Sequence, residues 1–280
     1  MGMYYTYRLY DIRGVLMGSW GPILRGQILM NMRIHFYGCS FTKGGGLHSK
    51  EYHSHYEKVW YPKDWSQRGK EFFLYGKEPY YEYGDHFNFP SHIGRVLGIE
   101  IINHSITANN NDYIFQVCYD SMVKYPNDIH ILQWTILSRR NFFYESTKET
   151  LRVQGTMDLI HIFNQDKEDI LYDPIYENLS SFYRDYLTHV YDYTYEKQNI
   201  HRLSNLLHSF NPNLYLFSYE DIGDVSYMDR FILFDDLHLR DYIDREKLTI
   251  SDYTSFDHRD SHLSIYGHSI IGNYIINYIS

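Results

Sequence analysis

From residue 33 onward, short apolar runs alternate with stretches of helical period, and this alternation constrains the fold more than any other feature. "RIHFYG", Arg33 to Gly38, reads as a buried strand ending at a glycine. "HFNFPSHIGRVLG" reads as a helix, with Asn88 as its cap, Pro90 in the first turn and Gly98 after the last turn. "IEIINHS" is a second short strand, and "NDYIFQVCYDSMVKY" places Phe115, Cys118, Tyr119 and Met122 on one helical face. "DIHILQW" is a third strand and "NLYLFSY" a fourth. "IYGHSIIGNYIINYI" closes the chain as an amphipathic helix with Ile271, Tyr274, Ile275 and Tyr278 in register. Strands alternating with helices predict the α/β class: a parallel central sheet with helices on both faces, three layers in all.

Between the third and fourth strands lies a long polar and aromatic stretch, about 141–211. Its portion "DPIYENLSSFYRDYLTHVYDYTYEKQNIHRLSNLLHSF" reads as two helices, a helical insertion capping the carboxyl edge of the sheet, where such folds keep their sites. Residues 1–31 carry no recognisable chemistry and read as an N-terminal extension of unknown role. No internal repeat or low-complexity linker divides residues 32–280, which are expected to form one domain.

Composition narrows the function classes. The formal net charge is −9 and no basic block occurs, which argues against sequence-independent binding of nucleic acid. Two cysteines, Cys39 and Cys118, make neither a disulfide framework nor a metal quartet. No apolar run approaches the ~20 residues that span a bilayer, and Arg8, Asp11, Arg13 and Arg25 interrupt any signal-peptide core, so a cytoplasmic location is expected. Tyrosine is abundant, with 31 residues against 16 phenylalanines. A ring with a hydroxyl at its tip suits sugar-binding or protein-binding surfaces, and base-composition bias in the coding sequence gives the same count.

Three segments could carry chemistry. In "HFYGCSFTKGGG", Ser40 sits at the carboxyl end of the first strand. The phosphate-loop reading fails, because Lys43 precedes the glycines and no Gly-Lys-Ser/Thr occurs. Cys39 alternates with Ser40 and is expected in the core. Near the chain's end, "DSHLSIYGH" places Asp260 and His262 before the last helix, a carboxylate and an imidazole that could serve a nucleophilic serine. "INHSITANNND" offers backbone N–H groups and amide side chains after the second strand; its simpler reading is a helix cap at Asn110 or Asn111.

Taken together, and in their order along the chain with "INHSITANNND" second and "DSHLSIYGH" last, the three segments resemble the blocks of the SGNH (GDSL-type) hydrolases over residues 33–280. The resemblance implies a flavodoxin-like SGNH-hydrolase fold and a serine esterase, with Ser40 as nucleophile, His262 as base and Asp260 orienting it. Asp257 is the alternative acid. The N–H groups of Ser40 and Ala108 would hold the oxyanion. The family's third-block Gly-x-Asn-Asp is absent from "ILQWTILSRRNFF", leaving Gln133 or Thr135 as the third donor. A Ser-His-Asp mechanism implies no metal and no cofactor. The expected substrate is a small-molecule or carbohydrate ester, with an O-acyl group on a sugar preferred. The alternative is a weak or inactive module on the same fold that binds glycan or protein.

Other features carry less. His48, His53 and His55 include a His-x-His pair but no completing ligand. Arg139 and Arg140 could bind an anionic substrate group, although arginines after a strand are more often surface charges.

Overall fold

The computed structural model describes residues 32–44, 86–106, 109–144, 149–155, 160–164, 177–249 and 262–279. Its centre is a four-stranded parallel sheet of β1 (Arg33–Tyr37), β2 (Glu100–Asn103), β3 (Ile129–Trp134) and β7 (Leu214–Ser218) in the order β2-β1-β3-β7. Strand β1 lies between β2 and β3: Ile34 is in register with Ile101 on one side and Ile129 on the other. The outer edge of β7 is covered at one point, where Leu216 bridges Phe231 and accepts from Ile232 N–H at 2.7 Å.

Side-chain alternation along these strands makes two cores. Ile34, Phe36, Ile131 and Phe217 face Phe89 and Ile93 of α2 (Phe89–Leu97), Ile243 of α6 (Leu239–Glu246), and Ile271 and Ile275 of α7 (Ile265–Ile279). Tyr37, Leu132, Trp134 and Leu216 face Ile114, Cys118 and Met122 of α3 (Asn111–Lys124) with Ile200 and Leu207 of α5 (Tyr193–Phe210). A parallel sheet needs both faces covered, and these helices supply the layers that the strand–helix alternation predicts.

The helix ends follow the local chemistry. Asn88 caps α2 by accepting from Ser91 N–H at 2.9 Å, Pro90 sits in its first turn, and Gly98 ends it at φ +67. On α3 the buried face is rotated from the expected one: Ile114, Cys118, Ser121 and Met122 are buried, while Phe115 and Tyr119 are only partly so. Those two rings stack on each other along the rim, and Tyr119 meets Phe210 edge-on. In α7, Ile271 and Ile275 are buried, whereas Tyr274 and Tyr278 lie at the edge, their hydroxyls bonded to the Asp235 backbone N–H and the Phe231 carbonyl.

The stretch after β3 is not wholly helical. A three-stranded antiparallel sheet, β4 (Arg140–Tyr144), β5 (Glu149–Gly155) and β6 (Ile160–Asn164), precedes the helices. Alternating residues such as Leu151 and Val153 pack on Tyr183 of α4 (Glu177–Asp185), which continues into a π-helical turn over Tyr186–Val190. The other helix of that stretch, α5, is no cap. It is the crossover between β3 and β7, and its Ser204 accepts the indole N–H of Trp134 at 2.9 Å. Among the described residues no helix is long and apolar enough to cross a membrane.

The α3/α5 face of the sheet carries a stack of imidazoles and phenols that runs from His130 near the start of β3 to His104 just past the end of β2. His35 and His130 are in register on β1 and β3, their ring centroids 5.1 Å apart, and His104 stacks on His35 at 5.3 Å. Each ring is hydrogen-bonded: His35 to His104 at 3.0 Å and to Asp128 at 2.9 Å, and His130 to Tyr37 at 2.8 Å and to the Tyr125 carbonyl at 3.0 Å. Asp128 is paired in turn with Arg33 at 2.9 Å. Burial lowers all three imidazole pKa values, His104 and His130 to about 4, with neighbouring imidazoles adding to the shift.

These histidines are neutral in the folded chain, while in the unfolded chain they protonate below about 6.5. Their contribution to stability is therefore full above pH 6.5 and is lost as pH falls towards about 4. For the fully buried His130 the slope is at most ~1.4 kcal/mol per pH unit. Urea denaturation between pH 7 and pH 4.5 should show this loss, and a His104→Gln/His130→Gln variant should show a shallower one. Equal slopes for the two proteins would rule out the neutral stack.

Candidate active site

At the carboxyl end of β1 the chain turns through Gly38 and Cys39 into a single helical turn, α1 (Ser40–Lys43), and leaves it at Gly44 with φ 92. Cys39 holds an extended conformation, φ −111 and ψ −155, and its side chain is fully buried in the α2/α7 core. Ser40 is thereby placed at the sheet's carboxyl edge, only 3% exposed.

Side chains from three elements and one backbone N–H hold this turn. The Thr42 hydroxyl donates to Gln133 Oε1 on β3, and the Cys39 thiol lies 3.9 Å from the same oxygen. Asn103, the last residue of β2, donates to the Thr42 carbonyl at 3.4 Å. Asn88, the α2 cap, donates to the Lys43 carbonyl at 3.0 Å. The loop after β2 joins in through Ile106 N–H, which donates to the Gly38 carbonyl at 3.3 Å. Gly38 is required by close packing: a Cβ there would overlap the Thr42 side chain and lie 2.9 Å from Gln133 Oε1.

The other end of the chain approaches this turn. The His262 ring lies 5.1 Å from that of Phe41, the residue after Ser40, and Phe41 in turn packs on Tyr219 at 4.2 Å. Ser40 Oγ makes no hydrogen bond to His262 or to any other described residue, while the His262 ring packs beside Phe41. His268, at the second helical turn of α7, is fully buried and accepts from the Phe89 backbone N–H at 3.2 Å through Nδ1. Burial, with the nearby His262 imidazole adding to it, lowers its pKa to about 3, so it is neutral and protonated at Nε2. Its role is to join α7 to α2. Asp260, Asp257 and Ala108 lie outside the described residues, as do His48, His53 and His55.

Gln133 and Thr135 are both fully buried at the end of β3. With Gln133 Oε1 taken by Thr42, its Nε2 donor has no partner among the described residues. Thr135 is held by Asn111, which accepts from its N–H at 2.8 Å, and its Oγ1 accepts from Arg139 Nη1 at 2.8 Å. Asn110 caps α3 by accepting from Tyr113 N–H at 3.0 Å, so the amide run after β2 caps a helix and also reaches across to β3.

The two arginines after β3 are not free surface charges. Arg139 is 5% exposed, and Arg140 pairs with Glu196 and donates to the Tyr186 hydroxyl. Sequence reading offers both arginines as possible anion binders and favours surface charges without separating the two: in "ILSRRNFF" nothing distinguishes the inward arginine from its neighbour. The only signal is its i, i+4 spacing from Thr135. Among the described residues no group of three or more His, Cys, Asp or Glu is placed to hold a metal ion.

Because the space at Gly38 is already filled, Gly38→Ala should displace Thr42 from Gln133. Overpacking of this kind costs ~1–3 kcal/mol. A fall in urea midpoint is expected, with a smaller one for Thr42→Val; an unchanged Gly38→Ala midpoint would show that the turn is loose.

No family model matches the chain, and no curated protein does. The solved structures to which the chain is similar stand at low identity. One is a protein described as lipolytic and of the G-D-S-L family from Desulfitobacterium hafniense DCB-2, at 11% identity and TM-score 0.37, covering 89% of this chain and 99% of that one. A second is the acetyl xylan esterase Est2A from the rumen bacterium Butyrivibrio proteoclasticus, at 10% identity and TM-score 0.40, covering 89% of this chain and 64% of that one. A third is a carbohydrate esterase whose active site is described as having divergent catalytic and non-catalytic binding functions, at 12% identity and TM-score 0.34, covering 89% and 68%.

Proposed function

We propose that this chain is an ester hydrolase of the SGNH type, acting on a carbohydrate or other small-molecule ester, with Ser40 as its nucleophile. The observation that carries this reading is the convergence of Ser40 and His262. They come from opposite ends of the sequence, yet the His262 ring lies 5.1 Å from the ring of the residue after Ser40. A turn held by Gln133, Asn103 and Asn88 is the kind of rigid support that a presented nucleophile needs.

In this mechanism Ser40 Oγ attacks the ester carbonyl while His262 takes its proton. The tetrahedral oxyanion is held by the N–H groups of Ser40 and Ala108, with Gln133 Nε2 or the Thr135 hydroxyl as the third donor. Collapse breaks the bond to the alcohol oxygen, and the alcohol leaves with the proton from His262. Water, deprotonated by His262, then cleaves the acyl-enzyme and restores Ser40. Asp260 orients the imidazole, with Asp257 as the alternative acid. Movement of His262 towards Oγ accompanies substrate binding, since catalytic contacts in ligand-free enzymes are often long. Residues 1–31 are an extension to a domain spanning 32–280.

The rival reading, a weak or inactive module that binds glycan or protein, draws on the near-complete burial of Ser40 and its lack of a hydrogen bond to His262. Labelling with a fluorophosphonate separates the two. An adduct at Ser40, absent from Ser40→Ala, is expected; no adduct under conditions that label a known serine esterase would leave the binding module. On p-nitrophenyl acetate, Ser40→Ala should remove turnover and His262→Ala should lower it by ~10²–10⁴. Wild-type turnover by Ser40→Ala would assign the nucleophile elsewhere.

A further inference from the structure

The guanidinium of Arg139 is buried without a counter-ion among the described residues. Its Nη1 donates to Thr135 Oγ1 at 2.8 Å and to the Asn109 carbonyl at 3.4 Å, both neutral acceptors. Nε is buried with no hydrogen bond, and Nη2 has none to any described residue. The neighbouring charges are otherwise engaged. Glu220 accepts from Leu137 N–H at 2.8 Å and from Arg240 at 3.4 Å, and Glu196 pairs with Arg140. Taking a cation out of water with no anion beside it is costly, and a fold retains such a group when something else supplies the charge.

The geometry states what would do so. Nε–H and the adjacent Nη2–H point along one edge of the guanidinium, a fork that matches the two oxygens of a carboxylate. Thr135 and Asn109 occupy Nη1 and leave that edge without a hydrogen-bond partner among the described residues. Arg140 and Arg240 are committed to carboxylates, so the site offers a single positive charge and suits a monoanion. It is also tied to the Ser40 turn. The Asn109 N–H donates to the Ile106 carbonyl, and the Ile106 N–H donates to Gly38, two residues before Ser40. Tyr219, whose ring packs on Phe41 at 4.2 Å, lies within reach of the Arg139 charge.

We propose that Arg139 binds a carboxylate through its Nε/Nη2 edge and, resting on the esterase reading above, that the ester substrate carries this carboxylate beside the scissile bond. Sugar acids and half-esters of dicarboxylic acids have this chemistry. Thr135 is then a positioning residue that fixes the guanidinium through Nη1.

Binding can be tested apart from catalysis, by titrating the full chain with acetate against chloride at constant ionic strength and following the arginine ¹⁵Nε resonances. The Arg139 Nε signal should shift saturably with acetate alone. Arg139→Lys, which keeps the charge but loses the fork, should weaken acetate binding tenfold or more. Absence of a saturable Arg139 shift, or wild-type affinity in Arg139→Lys, overturns the proposal; these two measurements decide it even if Arg139→Met fails to fold. Turnover tests the substrate class: Arg139→Lys should raise the ratio of KM for mono-4-nitrophenyl succinate to KM for p-nitrophenyl acetate tenfold or more. An equal loss of kcat on both esters would place the guanidinium on the oxyanion and overturn the substrate role. Intact acetate binding with no turnover of either ester would defeat the esterase reading and leave the carboxylate site standing.

Discussion

Strand β1 is hydrogen-bonded to a parallel neighbour on each side, and everything of interest hangs from its carboxyl end. A central parallel strand has both faces buried and both edges paired, so its end point is among the least movable places in an α/β domain. The turn that follows inherits this rigidity and adds its own. Thr42 reaches β3, Thr42 and Gly38 are tied to the β2 end and the loop beyond it, and Lys43 is tied to the α2 cap. The Ser40 side chain is positioned by its neighbours' contacts and by its own carbonyl, which accepts the Gly44 N–H at 3.0 Å.

Buried polar groups in this protein differ in how fully they are satisfied. The His35, His104 and His130 rings form a neutral, hydrogen-bonded stack backed by Asp128. At the carboxyl end the buried groups are left incomplete: Gln133 Nε2, Arg139 Nε and Ser105 Oγ all lack partners among the described residues. A satisfied network contributes to stability and to a unique core, whereas unsatisfied buried donors cost stability unless a ligand completes them.

Much of this was legible in the sequence, for identifiable reasons. Asn88, Pro90, Gly98 and Asn110 mark helix ends by interactions within four residues, and the structure makes those bonds. The four strands of the main sheet fall where apolar runs end at glycine or polar residues. Cys39 was legible as a core residue from strand alternation alone. The buried face of α3 was not, because Phe115 and Tyr119 are as apolar as Ile114, and only the neighbouring Phe210 decides which rings stay at the rim. Nor was the three-stranded sheet of β4–β6, two hairpins whose connecting residues 145–148 and 156–159 contain no glycine, asparagine or proline to signal a turn.

The sequence by itself determined the alternation of elements, the helix caps, the position of Ser40 at a strand's end and the anionic character of the whole chain. Each depends on neighbours a few residues away or on composition. Only the tertiary structure decided that Arg139 turns inward while Arg140 pairs with Glu196, that α5 is a crossover helix packed on Trp134, and that His262 returns to the side of Phe41. Those outcomes depend on which distant surfaces exclude water together. Adjacent arginines look alike in a sequence and become different groups once one of them loses its solvent.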